Sequence, residues 1–219
     1  MWRTGSAPFA PIAGRPHALR LGLRLTPGMR VGLYGGSFNP AHAGHAHVAL
    51  TALRRLGLDR VVWLVSPQNP LKPAHRTASL ERRLSGARRQ ARGGRAMVVS
   101  DAEARLGSRY TIDTARAFKA RFPGVRFVWI MGADNLAAFH RWRGWTNILR
   151  EMPVAVVARP GDTVKSRLSP AARRFPRARV PANAASTLAD RAPPAWVYLT
   201  APLNPASSTA VRAARQEED

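Results

Sequence analysis

Two histidines in H-x-G-H spacing, His42 and His45, follow glycines and an Asn-Pro pair in "GLYGGSFNPAHAGHAHVAL", residues 32–50. Imidazole can donate a hydrogen bond, accept one or carry a proton near neutrality, so a close pair is a candidate for binding and catalysis. The glycines let the backbone turn sharply and let a ligand approach the main chain. A helix starting near Gly44 turns its unpaired N–H groups outward as an anion site. On that helix His45, Ala49, Leu53 and Leu56 share one face, which sets His45 at the inward edge of the first turn. His42 lies just before it. The positive end of a helix disfavours imidazolium, so a neutral, donating imidazole is expected. One isolated histidine there is as well explained by capping; two after a glycine turn point to chemistry. His47 lacks this geometry and is expected to be exposed. The stretch fits neither G-x-x-x-x-G-K-[ST] nor G-x-G-x-x-G.

Other residues suggest partners for that pair. "SSTAVR", 207–212, opens a helix with Ser207, Ser208 and Thr209 as capping residues, and Arg212 stands four after Ser208 on the same face. This reads either as an ordinary cap or as a second anion cradle with a guanidinium. Asp134, after Gly132, is a helix cap or a carboxylate at a strand end, where such a group can accept hydrogen bonds from a ligand's hydroxyls. Thr111 precedes a helix with Asp113 in its first turn, which alone means an N-cap. Trp142 and Trp145, spaced i, i+3 beside Phe139, have the spacing of core aromatics. Lys72 lies in the loop "PQNPLKP", 67–73, where an ammonium can grip phosphate.

The elements that must position these residues follow from the apolar runs. Strands are predicted at 30–35, 60–66, 95–100, 126–131, 153–158 and 196–200. Helical stretches are predicted near 44–57, 79–92, 111–122 and 133–150, with a last one from Ser207. Short, nearly continuous apolar strands alternating with helices give an α/β fold: a Rossmann-like open parallel sheet with helices on both faces. Ligands in such sheets bind beyond the carboxyl ends of the strands, where the H-x-G-H stretch falls. Residues 1–28, with four prolines and no acid, are expected to form a disordered basic extension before a single domain over 29–219. Met29 is an alternative start of translation. Residues 160–194, rich in Pro, Ala and Arg, are expected to be a loop-heavy insertion or surface lid.

Composition narrows the classes. The 219 residues contain no cysteine, which excludes disulfides and thiolate metal sites and suits a reducing cytoplasm. No apolar run reaches membrane-spanning length, so a soluble protein is expected. The net charge of +23 raises polyanion binding, but the arginines are scattered rather than blocked, which favours solvated faces. A basic nucleic-acid-binding module lacks any helix-turn-helix, RRM or zinc-finger pattern to support it.

"GSFNPAHAGH" resembles the signature of the HxGH nucleotidyltransferase superfamily. With "SRYTIDT" (108–114), "FVWIMGADNLAAFHRWRGW" (127–145) and "SSTAVR", motif order and spacing over about residues 29–215 resemble the bacterial nicotinate-nucleotide adenylyltransferase family. The resemblance implies transfer of AMP from ATP to nicotinic acid mononucleotide, giving nicotinic acid adenine dinucleotide and pyrophosphate in NAD biosynthesis. It implies catalytic roles for His42, His45, Ser208 and Arg212. ATP would bind at Gly35, Gly36, Ser37, Phe38, Gly132, Asp134, Ser207 and Thr209. The mononucleotide would bind at Lys72, Thr111, Trp142 and Arg143, with Trp142 stacked on the pyridine ring and main-chain N–H groups near Thr111 and Arg143 on the carboxylate. The usual Ile before the serines is Ala206 here. Mg²⁺ is expected to arrive with ATP, with no metal site built by the protein. A phosphopantetheine or cytidylyl acceptor is the alternative within the superfamily, and the Trp142 region argues against both.

Overall fold

The central strands of the sheet carry two apolar faces, and their residues sort between them with the period of two that a pleated strand imposes. The computed structural model describes residues 19–67, 77–91, 94–158 and 166–200. Strand β1 (Arg30–Gly36) leads to helix α1 (Ala43–Arg55), then β2 (Arg60–Val65), α2 (Leu80–Gln90) and β3 (Met97–Ser100). Helices α3 (Ala102–Leu106) and α4 (Thr111–Arg121) precede β4 (Arg126–Gly132), followed by α5 (Ala133–Ala138), α6 (Trp145–Glu151) and β5 (Val154–Val157). Helix α7 (Pro170–Arg174), β6 (Arg179–Val180) and β7 (Trp196–Leu199) complete the described elements. All strand pairs are parallel, in the order β3-β2-β1-β4-β5-β7-β6.

Leu33, Leu64, Trp129, Met131, Val156 and Tyr198 face one layer, where Phe118 of α4, Leu136 of α5 and Ile148 of α6 cover them. Tyr34, Trp63, Ile130, Val157 and Leu199 face the other, under Val48 and Ala52 of α1, Ala87 of α2 and Leu188. Burial on both faces explains the unbroken apolar runs. The predicted α/β parallel sheet is the fold observed.

The structure revises four local expectations. The single helix expected over 133–150 breaks into α5, a 3₁₀ turn at Phe139–Arg141 and α6, because Gly144 adopts φ +64° before α6 and Trp142 is extended. Within 160–194, the described residues from 166 onward form α7, β6 and a 3₁₀ segment Ala182–Asp190 whose Ala185 and Leu188 are buried, so this part belongs to the core. The segment before β1 is packed earlier than expected. Leu19 and Leu21 are buried, Leu23 and Leu25 lie against the same core, and the Gly28 N–H donates to the Gly124 carbonyl. Alternating leucines over 19–25 supply the apolar edge that makes this favourable. Residues 1–18 lie outside the described residues. His47 is half-buried rather than exposed.

Candidate active site

Strands β1 and β4 are neighbours, yet their chains depart to opposite faces: α1 packs on the side of Tyr34 and Ile130, α5 on the side of Met131. That divergence opens a crevice at the carboxyl ends of the two strands, the usual ligand position in an open α/β sheet. Gly35, Gly36 and Gly132 border it.

The glycines of β1 make room for aromatic rings. A Cβ on Gly35 would lie 2.6 Å from the Trp129 ring, and one on Gly36 would lie 3.1 Å from Phe38. Phe38 itself has φ +48°, a strained conformation for a bulky residue. Burial of its ring offsets the strain: it stacks on Trp63 at 5.1 Å and meets Tyr34 and His45 edge-on. The Asn39 Oδ1 accepts the Ala78 N–H at 3.3 Å and so ties this turn to the start of α2.

His42 and His45 close the same corner. His42 is the N-cap of α1, and its Nδ1 accepts the Gly44 N–H at 3.1 Å. His45 Nδ1 accepts the His42 N–H at 3.2 Å, completing a reciprocal capping box. Both readings of the motif, capping and chemistry, thus meet in one geometry. An accepting Nδ1 carries no proton, so in each neutral ring the proton sits on Nε2, which points away from the helix backbone. The two rings are 3.9 Å apart between centroids and are 3% and 9% exposed. The result is a fixed pair of N–H donors at the end of β1.

A second group gathers at the start of α4. Thr111 is the first helical residue rather than its cap; Tyr110 occupies the cap position and makes no side-chain capping bond. A Cβ on Gly144 would stand 3.6 Å from the Ile112 side chain, so the 142–144 turn lies beside this helix end. The Arg143 guanidinium lies over the Tyr110 ring at 4.7 Å. Burial pushes the Asp113 carboxyl up, while Arg143 and Arg116 pull it down. Trp142 is half-buried, edge-on to Phe139 at 5.3 Å, and Trp145 is also half-buried, between Phe139 and Phe175. Asp134 is exposed in the first turn of α5, capped by Gly132. Ser37 is half-buried beside the glycines. Lys72, Ser207, Ser208, Thr209 and Arg212 lie outside the described residues. Among the described residues no three His, Asp or Glu side chains converge as a metal site.

Two buried charged residues were not anticipated. Arg83 on α2 is 3% exposed and donates to four main-chain carbonyls, those of Ala78, Ser37, Ser66 and Pro67. Glu103 on α3 is 6% exposed and accepts the Thr114 hydroxyl at 3.0 Å; burial pushes its carboxyl up to about 7, against the Ser66 and Thr114 hydroxyls. Each had a signal in the sequence. Arg83 falls four before Ala87 on the apolar face of α2, and Glu103 sits between Ala102 and Leu106 in a chain poor in acids.

Comparison with known proteins agrees with this geometry. A family model described as "Cytidylyltransferase-like" matches residues 33–214. A probable nicotinate-nucleotide adenylyltransferase from Caulobacter sp. (strain K31) is 70% identical over 184 residues, covering 84% of this chain and 97% of the relative. One from Parvibaculum lavamentivorans is 53% identical, covering 86% and 93%. Among solved structures, Plasmodium falciparum nicotinic acid mononucleotide adenylyltransferase complexed with NaAD shares the fold, with a TM-score of 0.64 at 15% identity over 84% of this chain and 83% of that one. No helix among the described residues is long and apolar enough to cross a membrane. The histidine pair on α1, the parallel sheet that carries it and these likenesses lead to one conclusion: the chain belongs to the cytidylyltransferase-like family, among its nicotinate-nucleotide adenylyltransferases.

Proposed function

We propose that the chain transfers the AMP moiety of ATP to nicotinic acid mononucleotide, yielding nicotinic acid adenine dinucleotide and pyrophosphate. The observation that carries this reading is the capping-box pair His42 and His45, buried side by side at the carboxyl end of β1 with both Nδ1 atoms held by main-chain N–H groups. A mononucleotide phosphate oxygen attacks the α-phosphorus of ATP in line; the bond from that phosphorus to the β-phosphate oxygen breaks, and pyrophosphate leaves. No covalent nucleophile is required. The protein's contribution is positioning and hydrogen bonding to the charge on the transferring and leaving oxygens.

His42 and His45 donate to the ATP phosphates. Gly35, Gly36, Ser37, Phe38, Gly132 and Asp134 frame the nucleotide at the β1–β4 crevice. Ser207, Ser208, Thr209 and Arg212 hold the leaving pyrophosphate, and Lys72 grips the mononucleotide phosphate. The uncapped N–H groups at Thr111, the Arg143 guanidinium and the Trp142 indole receive the nicotinate ring and its carboxylate. A magnesium ion carried by ATP would supply charge neutralisation on the triphosphate, and Asp134, in the first turn of α5 after β4, would face the nucleotide hydroxyls. A cytoplasmic location goes with this chemistry and with a cysteine-free chain.

The test is pyrophosphate release from ATP with nicotinic acid mononucleotide and, separately, with the amide mononucleotide. Charge-assisted bonds to a carboxylate are roughly twice as strong as neutral ones, and an amide sets its own donors against donors. Much higher kcat/KM with the acid is expected. Equal use of both removes the carboxylate clamp, and release with neither removes the activity.

A further inference from the structure

The two unanticipated charges, Arg83 and Glu103, meet at one residue. The Ser66 N–H donates to the Gly36 carbonyl at 3.0 Å, its carbonyl accepts Arg83 Nη1 at 2.5 Å, and its hydroxyl faces the Glu103 carboxylate. On one side Arg83 continues to the Ser37 carbonyl at 3.0 Å and to the Ala78 carbonyl at 2.9 Å. The Ala78 N–H in turn donates to Asn39 Oδ1. On the other side Glu103 accepts from Thr114, whose hydroxyl lies 3.0 Å from that of Ser108, and Ser108 reaches the Tyr110 carbonyl at 3.1 Å. Arg83, Glu103, Ser108 and Thr114 are all buried. A continuous polar chain therefore runs beneath the sheet ends, from the turn before His42 to the turn before Thr111.

Core packing alone does not call for this chain. A buried guanidinium and a buried carboxyl are costly to desolvate, and apolar side chains of similar volume commonly stabilise as well or better. What the polar groups add is directional: each main-chain carbonyl has one donor at one angle, which fixes loop positions that apolar contacts leave free to slide.

We propose that Arg83 and Glu103 are positioning residues which, joined through Ser66, hold the ATP-side turn (37–39) and the acceptor-side turn (108–111) in one frame. This rests on the proposed adenylyl transfer, in which two phosphates must meet in line. Neither residue touches substrate. Their effect is on how the two bound substrates stand relative to each other.

The experiment uses the full chain with Arg83→Lys, Thr114→Val, Glu103→Gln and the double variant Arg83→Lys/Thr114→Val. Lysine has three donors on a point charge and cannot serve four carbonyls; valine keeps the shape of threonine and deletes its donor. Arg83→Lys and Thr114→Val should each lower kcat about 10- to 100-fold, since a misplacement of about 1 Å costs that much, with both KM values within about threefold of wild type. Glu103→Gln still accepts from Thr114 and should keep kcat within about threefold. Because the single variants loosen the same frame, the double variant should be about as slow as the slower single one. Folded Arg83→Lys and Thr114→Val variants with wild-type kcat, or effects that multiply in the double variant, would overturn the proposal. If Arg83→Lys does not fold, Ser66→Ala replaces it in the cycle. If wild type itself releases no pyrophosphate, the activity reading has failed, and amide hydrogen exchange tests the frame alone. Thr114→Val should then speed exchange at 37–39, on the far side of the chain; exchange unchanged there overturns it.

Discussion

At the end of β1 the groups proposed to meet ATP are sealed in: Phe38, His42 and His45 are 2%, 3% and 9% exposed, and both imidazoles are fixed by main-chain N–H groups. At the start of α4 the groups proposed to meet the acceptor are open: Thr111 and Trp142 are half-buried, Arg143 is exposed, and aromatic edges hold them in place of hydrogen-bonded caps. Fixed, desolvated donors act most strongly where charge develops, so the first region should govern kcat. A half-open aromatic and cationic surface adapts to a ring, so the second should govern KM and acceptor choice. One side is preorganised and the other selects.

The strongest way to break this comparison is His45→Ala. Loss of one preorganised donor should lower kcat by roughly 10²–10³. The variant also loses half of the capping box, which costs about 1 kcal/mol, so Tm should fall by a few degrees without unfolding. Steady-state kinetics and a thermal melt check both. A folded variant whose defect lies only in mononucleotide KM would reverse the assignment of the two regions.

Next in size is a property of the floor the regions share. Burial raises Glu103 in the folded chain to about 7, above its ordinary value of 4.5. Its neighbours there are the Ser66 and Thr114 hydroxyls, while Asp101 and Arg105 on its own helix pair with each other and Arg83 stands across Ser66. The folded protein therefore holds a proton that the unfolded chain releases between these values. Its contribution to stability is complete below pH 4.5, declines as pH rises to about 7 and stays lost above. Glu103→Gln keeps the neutral form at all pH. Urea midpoints from pH 5 to 8 should show the variant gaining on wild type, by about 3 kcal/mol at the top of the range. Parallel curves would mean the carboxyl is not desolvated.

This contrast also explains what the sequence made legible. The corner at β1 is local: the glycines, the histidines and the first turn of the helix they cap lie within fourteen residues, 32–45, and geometry follows from spacing. The acceptor turn joins residues from α4 and from 142–144, which apolar periodicity leaves unconnected; the expected helix over 133–150 ran straight through Gly144. Periodicity sees the apolar face of that segment and is blind to one positive φ. Arg83 and Glu103 were missed for a third reason. A charged side chain is read as solvated unless its partners are known, and four of the partners here are main-chain carbonyls, which no sequence displays. Leu19 and Leu21 were hidden by their proline-rich surroundings.

A smaller effect separates the substrates. Trp142→Ala removes the indole face and leaves the Phe139 ring against which it packs edge-on. A cation–π contact at a half-exposed site is worth about 1–2 kcal/mol, so mononucleotide KM should rise about tenfold. ATP KM and kcat should stay within about twofold. A defect confined to ATP would place the pyridine elsewhere and erase the division between the two regions.

The smallest effect tests how the open side is held. Gly144 has φ +64° and its added Cβ would stand 3.6 Å from Ile112, an ordinary contact. Gly144→Ala thus introduces backbone strain of about 1 kcal/mol and no clash. Gly35 is its opposite: its φ is unexceptional, but a Cβ there would lie 2.6 Å from Trp129. Main-chain hydrogen bonds shape the turn at 142–144 within its own segment. Toward the start of α4 it presents the Arg143 cation over the Tyr110 ring and apolar contact with Ile112, so it can answer strain by shifting over α4. The corner at β1 cannot, because hydrogen bonds lock it. In Gly144→Ala the mononucleotide KM should therefore rise only about two- to fivefold, with kcat and ATP KM unchanged. The measurement is the same pair of saturation curves. A fall in kcat instead would show that the acceptor turn is as rigidly coupled to the reacting phosphates as the histidine corner, and that selection and preorganisation are not divided between the two ends of the crevice.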